Sequence, residues 1–163
     1  MTRPGMKRNT AFTLIELIVG VLIIAILSTI AVTRWPGTMI NLNSQTQQLA
    51  SDIRYTQNLA MSRAQDYRLN LTTTTYSITS GGGTAVNNSI TGSATVTLGT
   101  GITITISPTN LPNNLITFNS LGVPYTDTGA TTALSNAAVI TLTSGTNTKT
   151  ITIQPQTGRV TIP

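Results

Sequence analysis

The 163-residue chain contains no cysteine and no histidine, and only 8% of its residues are charged. It therefore lacks disulfide and thiol chemistry, the commonest general base and the commonest metal ligand, so we expect a non-enzyme without a metal or cofactor. The net charge of +5 belongs largely to the start of the chain. After residue 11 there are six basic and four acidic residues, which weakens a nucleic-acid-binding interpretation.

A long apolar segment begins near residue 12. Residues 12–32 are almost entirely apolar, and as a helix they would measure about 32 Å, close to the hydrocarbon thickness of a bilayer. Arg34 and Trp35 follow, residue types suited to the headgroup level, and Pro36 would then bend or interrupt the helix. We therefore predict a transmembrane helix over residues 12–35.

Glu16 stands inside this apolar segment. A carboxylate at membrane depth costs roughly 2.5–3.5 kcal/mol on insertion scales, so its presence needs a reason. An ordinary secretory signal peptide, cleaved near Val32, would leave Glu16 unexplained and has a weak cleavage site. A plain membrane anchor would need Glu16 to reach the interface. Both alternatives stay open on composition alone.

Residues 36–66 keep a helical pattern but become amphipathic. Small and apolar residues recur every three or four positions and form a narrow stripe: Leu42, Thr46, Leu49, Ile53, Thr56, Ala60, Ala64 and Tyr67. Such a stripe suits a helix laid on a sheet. Residues 12–66 could thus form one helix of about 80 Å, bent near Pro36.

Residues 67–163 are rich in threonine, glycine and asparagine. Short runs alternate apolar and polar residues, which is typical of half-buried strands. The clearest are YRLNL, YSIT, ATVTL, ITITIS, LITF, AVITLT, KTITIQ and RVTIP. The segments SGTN (144–147) and QTGR (156–159) predict hairpin turns. The predicted fold is α+β, with a long N-terminal helix packed on a C-terminal antiparallel β-sheet domain.

The segment KRNTAFTLIEL, residues 7–17, resembles the processing site of type IV prepilins and pseudopilins. The resemblance implies that residues 1–11 are a leader peptide, removed after Ala11 by a prepilin peptidase that then methylates the amine of Phe12. Glu16 becomes the fifth mature residue, and its carboxylate would meet the Phe12 amine of a neighbouring subunit during assembly. The family usually has glycine before the cut, where this chain has Ala11.

The resemblance extends beyond the leader. Residues 49–71, 116–124 and 138–162 are similar to the helix end and closing strands of the GspH/FimT minor pseudopilins. This implies a structural subunit of a type IV pilus or of a type II secretion pseudopilus. Implied partners are the prepilin peptidase, other pilin or pseudopilin subunits and an inner-membrane assembly platform. The subunit would be a single-pass inner-membrane protein with a periplasmic β-domain before it enters the filament.

Two alternatives within this resemblance are a major pilin and a DNA-binding minor pilin. The second would use Arg159, because some FimT-type proteins contact DNA through a Gly-Arg-x-Arg tail. Here Thr161 stands in place of the second arginine. A simpler interpretation is that Arg159 caps carbonyls of its turn or pairs with Asp127. Arg159 is therefore a candidate partner or DNA contact.

The remaining charged residues suggest no binding site. Asp127 and the nearby threonines would offer too few oxygen ligands for a typical calcium site. We expect Asp52 and Asp66 to lie on the helix surface beside arginines, with Asp66 three residues from Arg63. The arginines on or near this helix should be solvated or contact other subunits: Arg54, Arg63 and Arg68.

Overall fold

The computed structural model describes residues 13–33, 37–88, 90–107 and 109–163. Two helices come first, α1 at Leu14–Thr33 and α2 at Gly37–Arg63, and residues 34–36 between them lie outside the described ranges. The chain divides into two compact units, residues 1–36 and 37–163. Among the described residues, no helix has both the length and the hydropathy needed to cross a membrane.

Helix α2 ends three residues before the predicted boundary at residue 66. Ala64 adopts a left-handed conformation with φ of 51°, and the Gln65 N–H donates to the Ala60 carbonyl at 3.3 Å. This is the hydrogen bond of a Schellman cap, which satisfies an otherwise free carbonyl of the last turn. The cap reverses the chain, so that Tyr67 begins the first strand.

Ten strands follow α2, and in the described ranges they form two antiparallel sheets, which make up the predicted β-domain. The strands are β1 Tyr67–Leu71, β2 Thr75–Ser80, β3 Ala85–Val86, β4 Thr95–Thr97, β5 Ile102–Ile106, β6 Leu115–Phe118, β7 Pro124–Tyr125, β8 Ala138–Ser144, β9 Asn147–Ile153 and β10 Val160–Thr161. One sheet has the order β3-β2-β1-β6-β7, with β4 also pairing with β2. The other has the order β10-β9-β8-β5.

The eight sequence runs that predicted strands each contain one, and both predicted hairpins are confirmed. Ser144 pairs with Asn147 across the first turn, and Val160 pairs with Ile153 across the second. Burial alternates along β8 with a period of two: Ala138, Ile140 and Leu142 are buried, whereas Thr141 and Thr143 on the opposite face are half-buried. The two-residue strands β3 and β7 were not predicted.

The core lies between α2 and the two sheets, and α2 contacts strands of both. Leu42, Leu49 and Ile53 of α2 are fully buried, as the stripe predicts. Strand β6 is buried along its whole length, because β1 and β7 flank it and α2 packs on it. Ala64 is the exception in the stripe, since it is exposed in the cap.

Candidate assembly helix and charged residues

Helix α1 is apolar on every side. The large aliphatic side chains from Leu14 to Leu27 are all exposed, with exposed fractions between 50% at Val19 and 77% at Leu14. A helix without a polar face cannot rest stably in water, and an apolar surface of this kind marks contact with lipid or with other protein. The helix is therefore an interaction element at least from Leu14 to Leu27.

Thr13 caps the start of α1. The Glu16 N–H donates to the Thr13 carbonyl at 3.1 Å and approaches its Oγ1 at 3.4 Å, and the Leu17 N–H also reaches the Thr13 carbonyl. Thr-x-x-Glu is the sequence signature of a capping box, which the sequence analysis overlooked. Glu16 lies in the first turn, where the helix dipole favours negative charge. Within the described ranges, no side chain bonds its exposed carboxylate.

The predicted cleavage and methylation sites lie outside the described residues. This holds for the whole leader, residues 1–11, and for Phe12. It also holds for residues 34–36, where a bend and interfacial anchors were predicted. Glu16 is the one predicted assembly residue whose surroundings the structure describes.

Arg159 has an exposed side chain with no hydrogen bond or ion pair in the part of the chain that the structure describes. Only its backbone is bonded, with the Arg159 carbonyl accepting from the Gln154 N–H at 2.9 Å. The predicted pairing with Asp127 and the predicted capping of carbonyls are therefore both absent from this conformation. The guanidinium is available to a partner.

The glycine before Arg159 has a packing role. Gly158 has a φ of 62°, and a Cβ there would stand 2.9 Å from the Gly122 carbonyl oxygen and 2.9 Å from Phe118 Cε1. Gln57 of α2 closes the same region, because its Nε2 donates to the carbonyls of Gly122 and Thr157, each at 2.8 Å. The Gly-Arg turn is thus held tightly against α2 and the β6–β7 loop, which fixes where Arg159 emerges.

Asp127 closes its own loop. Its carboxylate accepts from the Thr131 hydroxyl at 2.5 Å and from the Thr132 N–H at 2.9 Å. These hydrogen bonds, the Thr131 hydroxyl first, lower the pKa of Asp127. The described residues contain no cluster of three or more acidic, histidine or cysteine side chains that could hold a metal ion. The structure gives the calcium interpretation no support.

The predicted surface position of Asp52 is wrong. Asp52 is fully buried, and its Oδ2 accepts a 2.5 Å hydrogen bond from the Tyr76 hydroxyl. Burial raises the pKa of Asp52, and interactions with Tyr76 and Asn88 offset part of that rise. Asp52 Oδ1 and Asn88 Nδ2 nevertheless lack a regular hydrogen-bond partner in the described structure. Burial and the neighbouring carboxyl raise the pKa of Tyr76 in turn.

The predictions for the arginines need correction too. Arg54 Nη2 donates to the Val160 carbonyl at 3.0 Å, and Arg68 Nη2 donates to the Gly81 carbonyl. Both therefore fasten a strand or turn rather than stand free in solvent. The predicted pairing of Asp66 with Arg63 does not form among the described residues; instead, the Asp66 carbonyl accepts from the Gly81 N–H at 2.6 Å.

The fold and the exposed helix together define a pilin-like protein: an apolar N-terminal helix, an amphipathic helix and an antiparallel β-domain. Two family descriptions match the sequence, the prokaryotic N-terminal methylation motif at residues 6–32 and type II transport protein GspH at residues 45–157. The chain belongs to the GspH family, and it is a structural subunit of the pilus and pseudopilus class.

Solved structures of two other proteins are similar to this fold. The type IV minor pilin FimU of Pseudomonas aeruginosa is 15% identical, with 75% of this chain and 92% of FimU covered and a TM-score of 0.52. The minor pseudopilin EpsH of the Vibrio cholerae type 2 secretion system is 10% identical, with 76% and 96% covered and a TM-score of 0.52. Comparison with curated proteins gives no match. The predicted α+β, pilin-like fold is thereby confirmed.

Proposed function

We propose that this chain is a minor subunit of a type IV pilus or a type II secretion pseudopilus, cleaved after Ala11 and assembled through α1. The observation that carries the proposal is the exposure of aliphatic side chains on all sides of α1, with a single acidic residue in the first turn. The methylation motif at residues 6–32 and the GspH match at residues 45–157 support it. The minor pilin and minor pseudopilin folds agree with it.

Glu16 would supply axial register in the filament. After cleavage, the methylated Phe12 amine remains cationic, and the Glu16 carboxylate of another subunit is its natural partner. Charges at contact attract strongly in an apolar medium, but desolvation removes much of that gain. The pair would thus contribute mainly specificity, since the apolar contacts along α1 supply the bulk of the association free energy.

Before assembly, residues 12–35 would hold the subunit in the inner membrane, with residues 36–163 in the periplasm. The proposed span extends beyond α1 at both ends, to include Phe12 and the headgroup-type residues Arg34 and Trp35. The three basic residues of the leader stay on the cytoplasmic side, where the prepilin peptidase acts. Other subunits and the inner-membrane assembly platform would then replace lipid around α1.

The intact mass and N-terminal sequence of the protein from its native membrane test this proposal. We expect a mature chain that begins at methylated Phe12. The Glu16→Ala variant should be processed normally but absent from sheared filaments. Ser28→Ala is the matched control, because the Ser28 hydroxyl bonds the Ile24 carbonyl of its own helix at 2.7 Å.

A chain that begins near Val32 would indicate ordinary secretion, and an uncut chain that begins at Met1 would indicate a simple anchor. Either result would overturn the proposal. Normal assembly of Glu16→Ala would refute the role of Glu16 alone.

A second candidate function is DNA capture by the same minor subunit. The free and exposed guanidinium of Arg159 favours it, while Thr161 at the second basic position and the small positive charge after residue 11 weigh against it. DNA binding through Arg159 would appear as a salt-dependent gel shift of the detergent-solubilised chain. The shift should weaken in Arg159→Ala and persist in Arg63→Ala. Equal shifts for the two variants would refute this role of Arg159.

A further inference from the structure

Strand β5 is an edge strand of the four-stranded sheet. It pairs with β8 on one side only, with Ile102 opposite Ser144 and Ile106 opposite Ile140. Alternate residues of an antiparallel edge strand point their backbone N–H and C=O groups away from the sheet. The Ile104 N–H belongs to this outward set, because it donates to the Thr73 carbonyl at 2.7 Å instead of to β8. The backbone groups of Ile106 therefore also point outward.

The outward groups of Ile106 are not used by any residue that the structure describes. In the described ranges, no hydrogen bond outside the sheet involves its backbone N–H or carbonyl. Natural proteins usually protect such an edge with a lysine, a proline, a bulge or a covering loop. The β5 sequence Ile-Thr-Ile-Thr-Ile carries no charge and no proline, and the β1–β2 turn covers it only at Ile104. This part of the edge is left open.

A groove of about 390 Å³ lies beside this open edge, and its lining contains no charged residue. Its walls are Leu71, Thr72, Thr73, Ile104, Ile106 and Asn114. Asn114 is exposed, and its side-chain amide has no hydrogen-bond partner among the described residues, although its backbone carbonyl accepts from the Leu71 N–H at 2.8 Å. The groove is thus lined by a strand-edge residue and by a side-chain amide, neither of which has a hydrogen-bond partner for these groups among the described residues.

We propose that this groove binds a short, uncharged, extended segment of a different protein, which pairs with β5 at Ile106 as an added strand. The unpaired N–H and carbonyl of one strand residue match the backbone of a second strand, which is the basis of β-strand addition. The absence of charge from the lining favours a segment of threonine, serine and aliphatic residues, because a charged side chain would lose hydration without a partner. The Asn114 amide would bond a polar side chain or the backbone of that segment.

Binding of a defined peptide tests the proposal. The probe is acetyl-STVTS-amide, added to the full-length ¹⁵N-labelled chain in detergent micelles and followed by amide NMR. We expect saturable shifts of Ile106, Thr73 and Asn114. The same peptide N-methylated at its three central residues cannot pair as a strand. Its affinity should be lower by a factor of about five or more, because the loss of even one net hydrogen bond corresponds to about that factor.

Two variants separate strand pairing from general adhesion. Ile106→Pro removes the outward N–H at a position where an edge strand accepts proline, and it should abolish the shifts. Ile106→Val keeps the N–H and should preserve them, and a thermal melt of each variant reports whether it is folded. Equal binding of the two peptides to the unmodified chain would overturn the proposal, whatever the state of the variants.

Other results would overturn it as well. These are shifts that avoid β5, binding retained by a folded Ile106→Pro variant, or no binding at millimolar peptide. Concentration-dependent shifts of the same signals without peptide would assign the edge to a second copy of the chain and likewise overturn the proposal.

Discussion

Replacing Asp52 by asparagine should make the β-domain more stable at neutral pH. The folded state raises the pKa of Asp52 through burial, so folding favours the protonated carboxyl. Stability from this group is fully present below the unfolded pKa of 3.8 and is lost as the pH rises through the folded pKa. Each unit of pKa rise costs about 1.4 kcal/mol of unfolding free energy once the carboxyl ionises.

Urea unfolding of the full-length chain in micelles, followed by circular dichroism between pH 3 and pH 8, measures this effect. The difference between Asp52→Asn and the unmodified chain cancels the contributions of the other carboxyls. We expect this difference to grow in favour of the variant as the pH rises from about 4, and then to level off.

Two further variants test the same reasoning, one at the hydrogen-bond partner of Asp52 and one at a carboxyl whose pKa shifts in the opposite direction. Tyr76→Phe removes the hydroxyl that donates to Asp52 at 2.5 Å and should lower stability by about 1–3 kcal/mol, most strongly where the carboxyl is ionised. Asp127→Asn should show the opposite pH trend, because the lowered pKa of Asp127 gives stability that is lost as the pH falls. A difference for Asp52→Asn that does not change with pH would refute the reasoning.

Three other substitutions, the first with a matched control, have expected outcomes. Gly158→Ala should cost about 2–5 kcal/mol of unfolding free energy from backbone strain and overpacking. The control is Gly145→Ala, which has a similar φ of 59° but no heavy atom within 4 Å of the added Cβ, so it should cost only about 1–2 kcal/mol. Equal losses in urea melts would contradict the packing argument. Ala64→Gly should stabilise by about 0.5–1 kcal/mol, because glycine adopts the left-handed cap without strain, and a loss in the same melts would count against the Schellman cap. Thr13→Ala should speed hydrogen exchange of the Glu16 backbone amide. Exchange in the middle of α1 should stay unchanged and serves as the internal control. An unchanged rate at Glu16 would show that the cap is not formed.

Most of the helices and strands could be predicted because their apolar residues repeat over enough positions to reveal the helical or strand period. Alternating threonine and isoleucine over five residues identified β5, and over four residues β9, whereas two-residue strands such as β3 carry no period. The division into two sheets depends on which distant strands pair, for example β5 with β8, and local pattern contains no information on that choice.

Predictions for individual charged residues and for the helix end were less successful than those for the strands. Asp52 was assigned to the surface because it is charged, although its spacing from Leu49 and Thr56 placed it beside the buried stripe. Its partner Tyr76 is distant in sequence, so the hydrogen bond that makes burial tolerable could not be foreseen. The helix end at Ala64 was missed for a different reason, since alanine gives no signal for a left-handed residue.

The position of α2 between the two sheets has a consequence for the order of folding. Its buried residue Ile53 packs in a core that includes Ile140, Ile151 and Ile153, all from the last quarter of the chain. The core cannot close until these residues have left the ribosome or the translocation channel, whereas α1 precedes all of them in the chain. Under the membrane-anchored topology proposed above, insertion of the N-terminal helix would precede folding of the β-domain, and a chain stalled before β8 would expose the apolar face of α2 to proteases.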